Sequence, residues 1–244
     1  MISRDNLRFN IKKILKKLKI LKKNSPDWDK ILASKKKIYE ELKFKAKKGE
    51  KILICTSTGG QLFSSHFEAL LALALTRYGA DVEIMLCDKA LNACHLTTTH
   101  LIDEEKYLKH GQKKICNSCL DSGREAFEGL GLKINYYSRF ISEQEIIEVN
   151  NKIQNLSINQ MIEYTEDNVP IGEHAHAGAL RFYAVGTLVN EINAKEVIKK
   201  YLHAGLITKK IFFNFFSKKN FNKIILNHAI YVPQGIICDV SKVF

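Results

Sequence analysis

The chain has 244 residues, 45% of them hydrophobic, which is enough apolar material for one α/β domain with a substantial core. No uninterrupted apolar run of about 18 residues occurs, which excludes a transmembrane helix, and the first residues lack the apolar region of a secretory signal. The six cysteines are too few for a disulfide scaffold, so a cytoplasmic protein with reduced thiols is predicted.

The net charge of +12 is concentrated at the start of the chain. Residues 1–50 hold 17 of the 38 basic residues but 6 of the 26 acidic ones, so they carry +11 and residues 51–244 carry +1. A nearly neutral globular part, together with few aromatic residues in the basic part, argues against nucleic-acid binding. We therefore divide the chain into a basic extension at 1–49 and a globular domain at 50–244.

The basic extension has the periodicity of amphipathic helices. Lysines cover most of the surface of the first predicted helix. Its apolar residues share one helical face: Leu7, Ile11, Ile14, Leu15, Leu18 and Leu21. A second basic helix is predicted at 30–47, after a stop at 24–26. Such helices suit an anionic membrane surface, so residues 1–48 are predicted to contact one. The alternatives are a solvated helix that packs on the domain by its apolar stripe, and a nucleic-acid contact.

The globular domain opens with a strand, a glycine-containing turn, a helix and a second strand. These elements are predicted at 51–56, 62–78 and 81–88, as a βαβ unit that begins a Rossmann-like parallel sheet with flanking helices. The turn is expected to bind substrate through Ser57, Thr58, Gly59, Gly60 and Gln61. Neither the dinucleotide-binding fingerprint nor the P-loop pattern is present, and a simple tight turn is the alternative for the two glycines.

The later elements are less regular. We predict an irregular insert rich in Cys and His, then helices, apolar segments and strands at 122–130, 134–137, 142–165, 173–188, 191–206, 212–216 and 223–228. A last helix begins after residue 235, where the chain stops in what looks like a crossover connection. This ending predicts a truncated or split protein that is completed by a separate C-terminal half.

The Cys-rich insert at about 87–122 contains the first candidate site. Its four cysteines fall within 33 residues: Cys87, Cys94, Cys116 and Cys119. The spacing of Cys116 and Cys119 lets two thiolates reach one Zn²⁺ at about 2.3 Å, and Cys94 with Cys87 or His95 supplies the second pair. A structural zinc ion that stabilises the insert is predicted. Unligated thiols, a redox pair and an iron–sulfur cluster are the alternatives.

Two further groups of residues are candidates for substrate chemistry. Glu173 begins a predicted helix, where a carboxylate is stabilised as a base, and Arg181 on the same helix suits an ion pair with Glu173 or an anionic ligand. His228 ends a late strand, with Tyr231 and Gly235 shaping the wall beside it. Because the carboxyl ends of parallel strands share one edge, we expect His228 and the first turn to meet at one cleft. Polar residues that face water, or that the backbone satisfies, are the alternatives.

The unit at 51–88 resembles the first βαβ unit of GT-B glycosyltransferases. The cysteine set, Leu180-Arg181-Phe182 and the stretch His228–Gly235 add a resemblance to bacterial enzymes of capsule and surface-polysaccharide biosynthesis. The resemblance covers residues 50–244.

This resemblance implies two Rossmann-like domains that face a cleft, the second of which binds a nucleotide-sugar. It implies transfer of the sugar to a surface-glycan or lipid-linked acceptor at the cytoplasmic face of the membrane, without a catalytic metal. The chain would be the acceptor-side domain, Glu173 or His228 would take the proton of the acceptor hydroxyl, and Gly59 and Gly60 would approach the diphosphate or the acceptor. A non-catalytic, zinc-stabilised binding module tethered to the membrane is the alternative.

Overall fold

The structure, a computed structural model, describes residues 4–17 and 25–244. Its centre is a four-stranded, all-parallel sheet, which confirms the predicted α/β, Rossmann-like architecture. The strands lie in the order β3-β2-β1-β4, with bounds β1 Lys51–Ser57, β2 Asp81–Leu86, β3 Lys133–Tyr136 and β4 Lys223–Ile225.

Helices surround the sheet. Their bounds are α1 Arg4–Lys17, α2 Trp28–Leu32, α3 Lys36–Ala46, α4 Leu62–Arg77, α5 Glu104–His110, α6 Lys113–Phe127, α7 Glu143–Lys152, α8 Ile158–Ile162, α9 Ile171–Tyr183, α10 Ala194–Phe216 and α11 Gln234–Ser241. In the described ranges, every helix is too short or too polar to cross a lipid bilayer.

Alternation along β1 divides the core into two layers. Leu53 and Cys55 pack with the apolar residues of α9, α10 and α11, whereas Ile52 and Ile54 pack with those of α2, α4 and α6. Successive side chains of a strand point to opposite faces, so a strand that is apolar throughout has to be covered on both sides. The continuous apolar run at the start of the domain therefore predicted this central position correctly.

Several segments differ from the prediction: the segment predicted to be helical at 142–165 forms α7 and α8 with a break between them, and the helix predicted at 173–188 ends at Tyr183. The insert at 87–122 is not irregular, because it contains α5 and most of α6, and the helix predicted at 122–130 begins at Lys113. The segments predicted at 191–206 and 212–216 form the single helix α10. The polar residues between them do not interrupt it, since Lys209 is buried and pairs with Glu166 and Asp167.

Helix α1 of the basic extension contacts α6 through two basic side chains and one buried ring. Arg8 and Lys12 form ion pairs with Asp121 on α6 at 2.9 and 2.7 Å, and the buried Phe9 ring lies under the Arg124 guanidinium. Its predicted apolar stripe points the other way: Leu7, Ile11 and Ile14 are all about half exposed. The alternative of a helix packed by its stripe is therefore wrong for these residues, and Leu18 and Leu21 lie outside the described residues.

The strand order reverses between β1 and β4. The chain proceeds from β1 to β2 to β3 on one side, then returns to place β4 on the other side of β1, where Ile54 pairs with Ile225. In open α/β sheets, ligands bind in the crevice at the carboxyl ends of strands at such a switch point.

Candidate functional site

Polar side chains converge at the carboxyl ends of β1 and β4. The Asn227 side-chain amide, after β4, donates a hydrogen bond to Gln61 Oε1, after β1, at 3.3 Å. The expected meeting of the two strand ends is therefore confirmed. We define the switch-point cluster as the side chains grouped around this contact: Gln61, His95, Arg181, His228, Tyr231 and Gln234.

The turn after β1 is occupied mainly by contacts within the protein. Ser57 is fully buried at a bulge with φ +55°, and its Oγ accepts a hydrogen bond from the Tyr137 hydroxyl at 2.8 Å. A Cβ on Gly59 would lie 2.3 Å from the Cα of Gly123 on α6, and one on Gly60 would lie 2.8 Å from the Leu96 side chain. The two glycines thus permit close packing against α6 and the insert.

His95 lies at the centre of the cluster. Its Nδ1 is 2.9 Å from Gln234 Oε1, and its Nε2 is 3.3 Å from Thr58 Oγ1 and 3.1 Å from Gln61 Oε1. Burial, with His228 and Arg181 nearby, lowers the pKa of His95 to about 3, although the hydrogen bond with Gln234 opposes the shift. His95 is therefore a neutral imidazole at pH 7, so only one of its two ring nitrogens carries a proton, and that nitrogen donates to the amide oxygen of Gln234 or of Gln61.

His228 lies against His95. Their ring centroids are 4.8 Å apart in an edge-to-face arrangement, and the backbone N–H of Ile230 donates to His228 Nδ1 at 3.4 Å. Burial and the nearby Arg181 lower the pKa of His228, so its neutral form is favoured. That form carries its proton on Nε2, which is buried and has no hydrogen-bond partner among the described residues.

Arg181 brings the only formal charge that belongs to the switch-point cluster. Its Nε donates to the carbonyl oxygen of His95 at 2.8 Å, and its guanidinium lies 5.1 Å from the centre of the Tyr231 ring. The side chain is exposed, which leaves its remaining N–H groups available to an anionic ligand. The expected pairing with Glu173 is not formed: the two residues are eight positions apart, about 12 Å along α9.

Glu173 is not part of the cluster. It is exposed in the first turn of α9 and forms no hydrogen bond or ion pair with a described residue. Its neighbour His174 is buried instead, with Nδ1 2.7 Å from the Ile230 carbonyl oxygen and Nε2 2.8 Å from Asp239 Oδ2. Both partners are hydrogen-bond acceptors, and the two contacts fix the ring between α9 and α11.

Gly235 lies behind the cluster. A Cβ at this position would come within 2.3 Å of the His174 ring, so glycine is needed for close packing between α11 and α9. The preceding residue, Gln234, is fully buried and its Nε2 lacks a partner among the described residues. Gly235 is thus behind the wall that it was expected to line, while Gln234 belongs to that wall.

The four cysteines of the insert lie together. Cys87, Cys94, Cys116 and Cys119 line one small cavity of about 20 Å³, beside Ser57 and other residues of the first turn. The structure also contains Cys55 and Cys238 as free thiols elsewhere. Across residues 4–17 and 25–244, no three His, Cys, Asp or Glu side chains are arranged as a ready metal site.

The cluster is rich in hydrogen-bond donors. The Arg181 guanidinium, the Nε2 of His228 and the Nε2 of Gln234 have donor capacity that their protein contacts do not use. Buried donors without acceptors carry a free-energy cost that a ligand oxygen can offset. The arrangement therefore suits a ligand that presents several oxygen acceptors.

Two members of the cluster were not predicted as substrate-binding residues. His95 was considered only with the cysteines, because it follows Cys94 in the insert, and Gln234 was taken as part of a wall-forming stretch. The one local signal for His95 was its place in a long connection after a buried strand, where binding residues are frequent.

Comparisons of the chain with protein-family models, with curated proteins and with solved structures found no match.

Proposed function

We propose that the chain is the acceptor-side domain of a glycosyltransferase, which transfers a sugar from a nucleotide-sugar to a surface-glycan or lipid-linked acceptor. The observation that carries this proposal is the position of the switch-point cluster at the reversal of strand order, where parallel α/β sheets bind ligands. Its unused donors suit sugar hydroxyls and phosphate oxygens, which are acceptor-rich.

The residues of the cluster have different roles in this proposal. Arg181 binds a phosphate or another anionic group, and Gln234 holds a neighbouring oxygen. His95 is neutral and holds the side chains of Gln61 and Gln234 in place through its two ring nitrogens. His228 is the candidate base within the cluster: it takes the proton of the acceptor hydroxyl at Nδ1, in place of the hydrogen bond from the backbone N–H of Ile230, whereas Glu173 acts only if another domain closes over the exposed start of α9.

Transfer requires a second domain that binds the donor. We propose that a separate C-terminal half supplies it and closes on the carboxyl edge of the sheet, where Arg181 and Tyr231 are accessible. The chain on its own is then expected to bind substrates without turnover.

Ligand binding to the isolated chain tests this proposal. Nucleotide-sugars and short glycans are titrated at millimolar concentration while backbone amide NMR shifts are recorded. We expect shifts at residues of the cluster, and at least about tenfold weaker binding in Arg181→Ala, since a charge-assisted hydrogen bond contributes about 1.5–3 kcal/mol.

Arg77→Ala is the matched control for Arg181→Ala, because Arg77 is exposed at the end of α4. It is expected to bind like the parent chain. Failure of every nucleotide-sugar and glycan to bind, or binding that Arg181→Ala leaves unchanged, rejects the proposal.

We also propose that α1 places the domain on an anionic membrane surface at the cytoplasmic face. The ion pairs of Arg8 and Lys12 hold the helix on α6 with Leu7, Ile11 and Ile14 directed outward. The surrounding extension carries most of the net positive charge, which complements anionic headgroups.

Vesicle co-sedimentation tests the membrane contact. The chain is expected to bind vesicles that contain phosphatidylglycerol more strongly than pure phosphatidylcholine vesicles, and the double variant Ile11→Ser/Ile14→Ser is expected to lose roughly tenfold or more. The control is Val189→Ser/Ile192→Ser, which alters two side chains that are even more exposed. Equal losses in both double variants, or no binding at all, argue against the contact.

A non-catalytic binding module, stabilised by zinc and tethered to the membrane, is the second candidate. The convergence of four cysteines on one cavity favours it, because that convergence is unrelated to sugar transfer. Binding of zinc and of anionic vesicles, with no binding of nucleotide-sugars or glycans, would select this candidate over the first.

A further inference from the structure

The four cysteines that line one cavity come from three parts of the fold. Cys87 directly follows β2, Cys94 lies in the loop after it, and Cys116 and Cys119 are one turn apart on α6. Residues three apart on a helix share a face, so both α6 thiols point to the same side. The tertiary structure thereby brings together sulfurs that are up to 32 positions apart.

Backbone N–H groups are directed at three of these sulfurs. Gly60 donates to Cys119 Sγ at 3.1 Å, Lys89 donates to Cys87, and Leu96 and Thr97 donate to Cys94. Such outer contacts orient the ligands of metal sites, while burial, the largest effect, raises the pKa of all four thiols.

The size of the cavity limits what it can contain. A space of about 20 Å³ accommodates one water-sized occupant, whereas an iron–sulfur cluster, with several iron and sulfide atoms, is larger. Apolar side chains complete much of the wall, including Leu91, Leu96 and Ile115. In these surroundings the sulfurs need a cation if they are to be charged.

We propose that Cys87, Cys94, Cys116 and Cys119 bind one Zn²⁺ ion as thiolates. Binding forms four Zn–S bonds and releases the four thiol protons to solvent, with no change of oxidation state. The sulfurs line the cavity without yet forming a tetrahedral site, so their side chains rotate inward as the ion enters.

The ion would also organise the switch-point cluster. Cys94 immediately precedes His95, and Gly60, which donates to Cys119, immediately precedes Gln61. Zinc binding therefore stabilises the two loops that carry these cluster residues. The proposal itself does not depend on glycosyl transfer.

Metal analysis of the full chain tests the proposal. The chain, purified under reducing conditions without added metal, is expected to contain about one zinc per molecule. After chelation, Co²⁺ is expected to give the thiolate-to-cobalt charge-transfer absorption of a sulfur-rich site, and rebinding of Zn²⁺ to abolish it. The double variant Cys116→Ser/Cys119→Ser is expected to lose both signals, and Cys238→Ser, outside the cavity, to keep them.

The test still holds if the double variant fails to fold, because a second measurement, thiol reactivity, uses the parent chain. Four of the six thiols are expected to react with a disulfide reagent only after chelation. A folded parent chain that binds neither Zn²⁺ nor Co²⁺ overturns the proposal. So does a chain that contains iron with sulfide, or a disulfide between these cysteines.

Discussion

Glu68 is a buried carboxyl that the local sequence does not explain. It lies in the middle of α4, 3% exposed, and neither carboxyl oxygen has a hydrogen-bond partner among the described residues. Burial raises the pKa of Glu68 to about 7, although the neighbouring Thr56 hydroxyl opposes part of the shift. The carboxyl is therefore partly protonated near neutral pH.

This burial gives Glu68 a pH-dependent effect on stability. The folded-state pKa of about 7 exceeds the ordinary value of 4.5, so the contribution of Glu68 is fully present below pH 4.5 and is lost as pH rises through 7. We expect Glu68→Gln to be more stable than the parent by roughly 2–3 kcal/mol at pH 8, with little difference at pH 4.5.

Urea unfolding of both chains across this pH range measures the difference. Glu41→Gln on the exposed side of α3 is the control and is expected to change little at any pH. A Glu68→Gln variant whose stability relative to the parent does not vary with pH would contradict the assignment.

At the scale of elements, the position of α6 depends on glycine. The turn after β1 crosses α6 at Gly59 and Gly123, whose backbones approach so closely that neither position has room for a side chain. This contact explains why the turn contains glycines although it lacks a phosphate-binding fingerprint. Helix α6 itself was mispredicted, because its Cys, Asn and Ser residues are typical of loops, whereas tertiary packing buries one face of it.

We expect Gly59→Ala to destabilise the chain by about 2 kcal/mol or more even when no ligand is present, because its Cβ would meet backbone atoms of α6. Gly186→Ala is the control: a Cβ there meets nothing within 4 Å, and its backbone does not require glycine. The measurement is the urea midpoint of each chain. A stable Gly59→Ala variant that fails only in ligand binding would instead assign the glycine to a ligand.

At the scale of the whole molecule, the buried His95 and the partly buried Glu166 make the fold sensitive to acid. The folded-state pKa of His95 is about 3, below its ordinary 6.5. The unfolded chain therefore binds the proton first, and stability is lost as pH falls from 6.5 to 3. Burial alone would raise the pKa of Glu166, but hydrogen bonds from Lys152 and Lys209 hold this pKa at about 2. The contribution of Glu166 to the free energy of unfolding is therefore lost as pH falls from 4.5 to 2.

We expect His95→Gln to show a shallower loss of unfolding free energy between pH 6.5 and 4 than the parent chain, since the neutral amide has no proton to gain. Urea unfolding at fixed pH steps measures these slopes, and His100→Gln on the exposed surface is the control. Identical slopes for the parent and His95→Gln would show that His95 is not held neutral in the fold.

Local patterning was sufficient for the fold class and the first βαβ unit. Strand and helix periods, turn residues and charge runs are properties of neighbouring residues, and they can be recognised without any tertiary contact. The same reasoning anticipated that the ends of β1 and β4 meet, because parallel strands share an edge. It did not anticipate that α5 and α6 form within the insert or that α10 is continuous.

Tertiary structure alone determined the membership of the switch-point cluster. His95 and Gln234 are 139 positions apart and become neighbours only when α11 packs behind the sheet. The same packing buries His174 and leaves Glu173 exposed, although the two are adjacent in the chain. Which polar residue of a segment enters a site is set by long-range contacts, and a single sequence carries no local record of them.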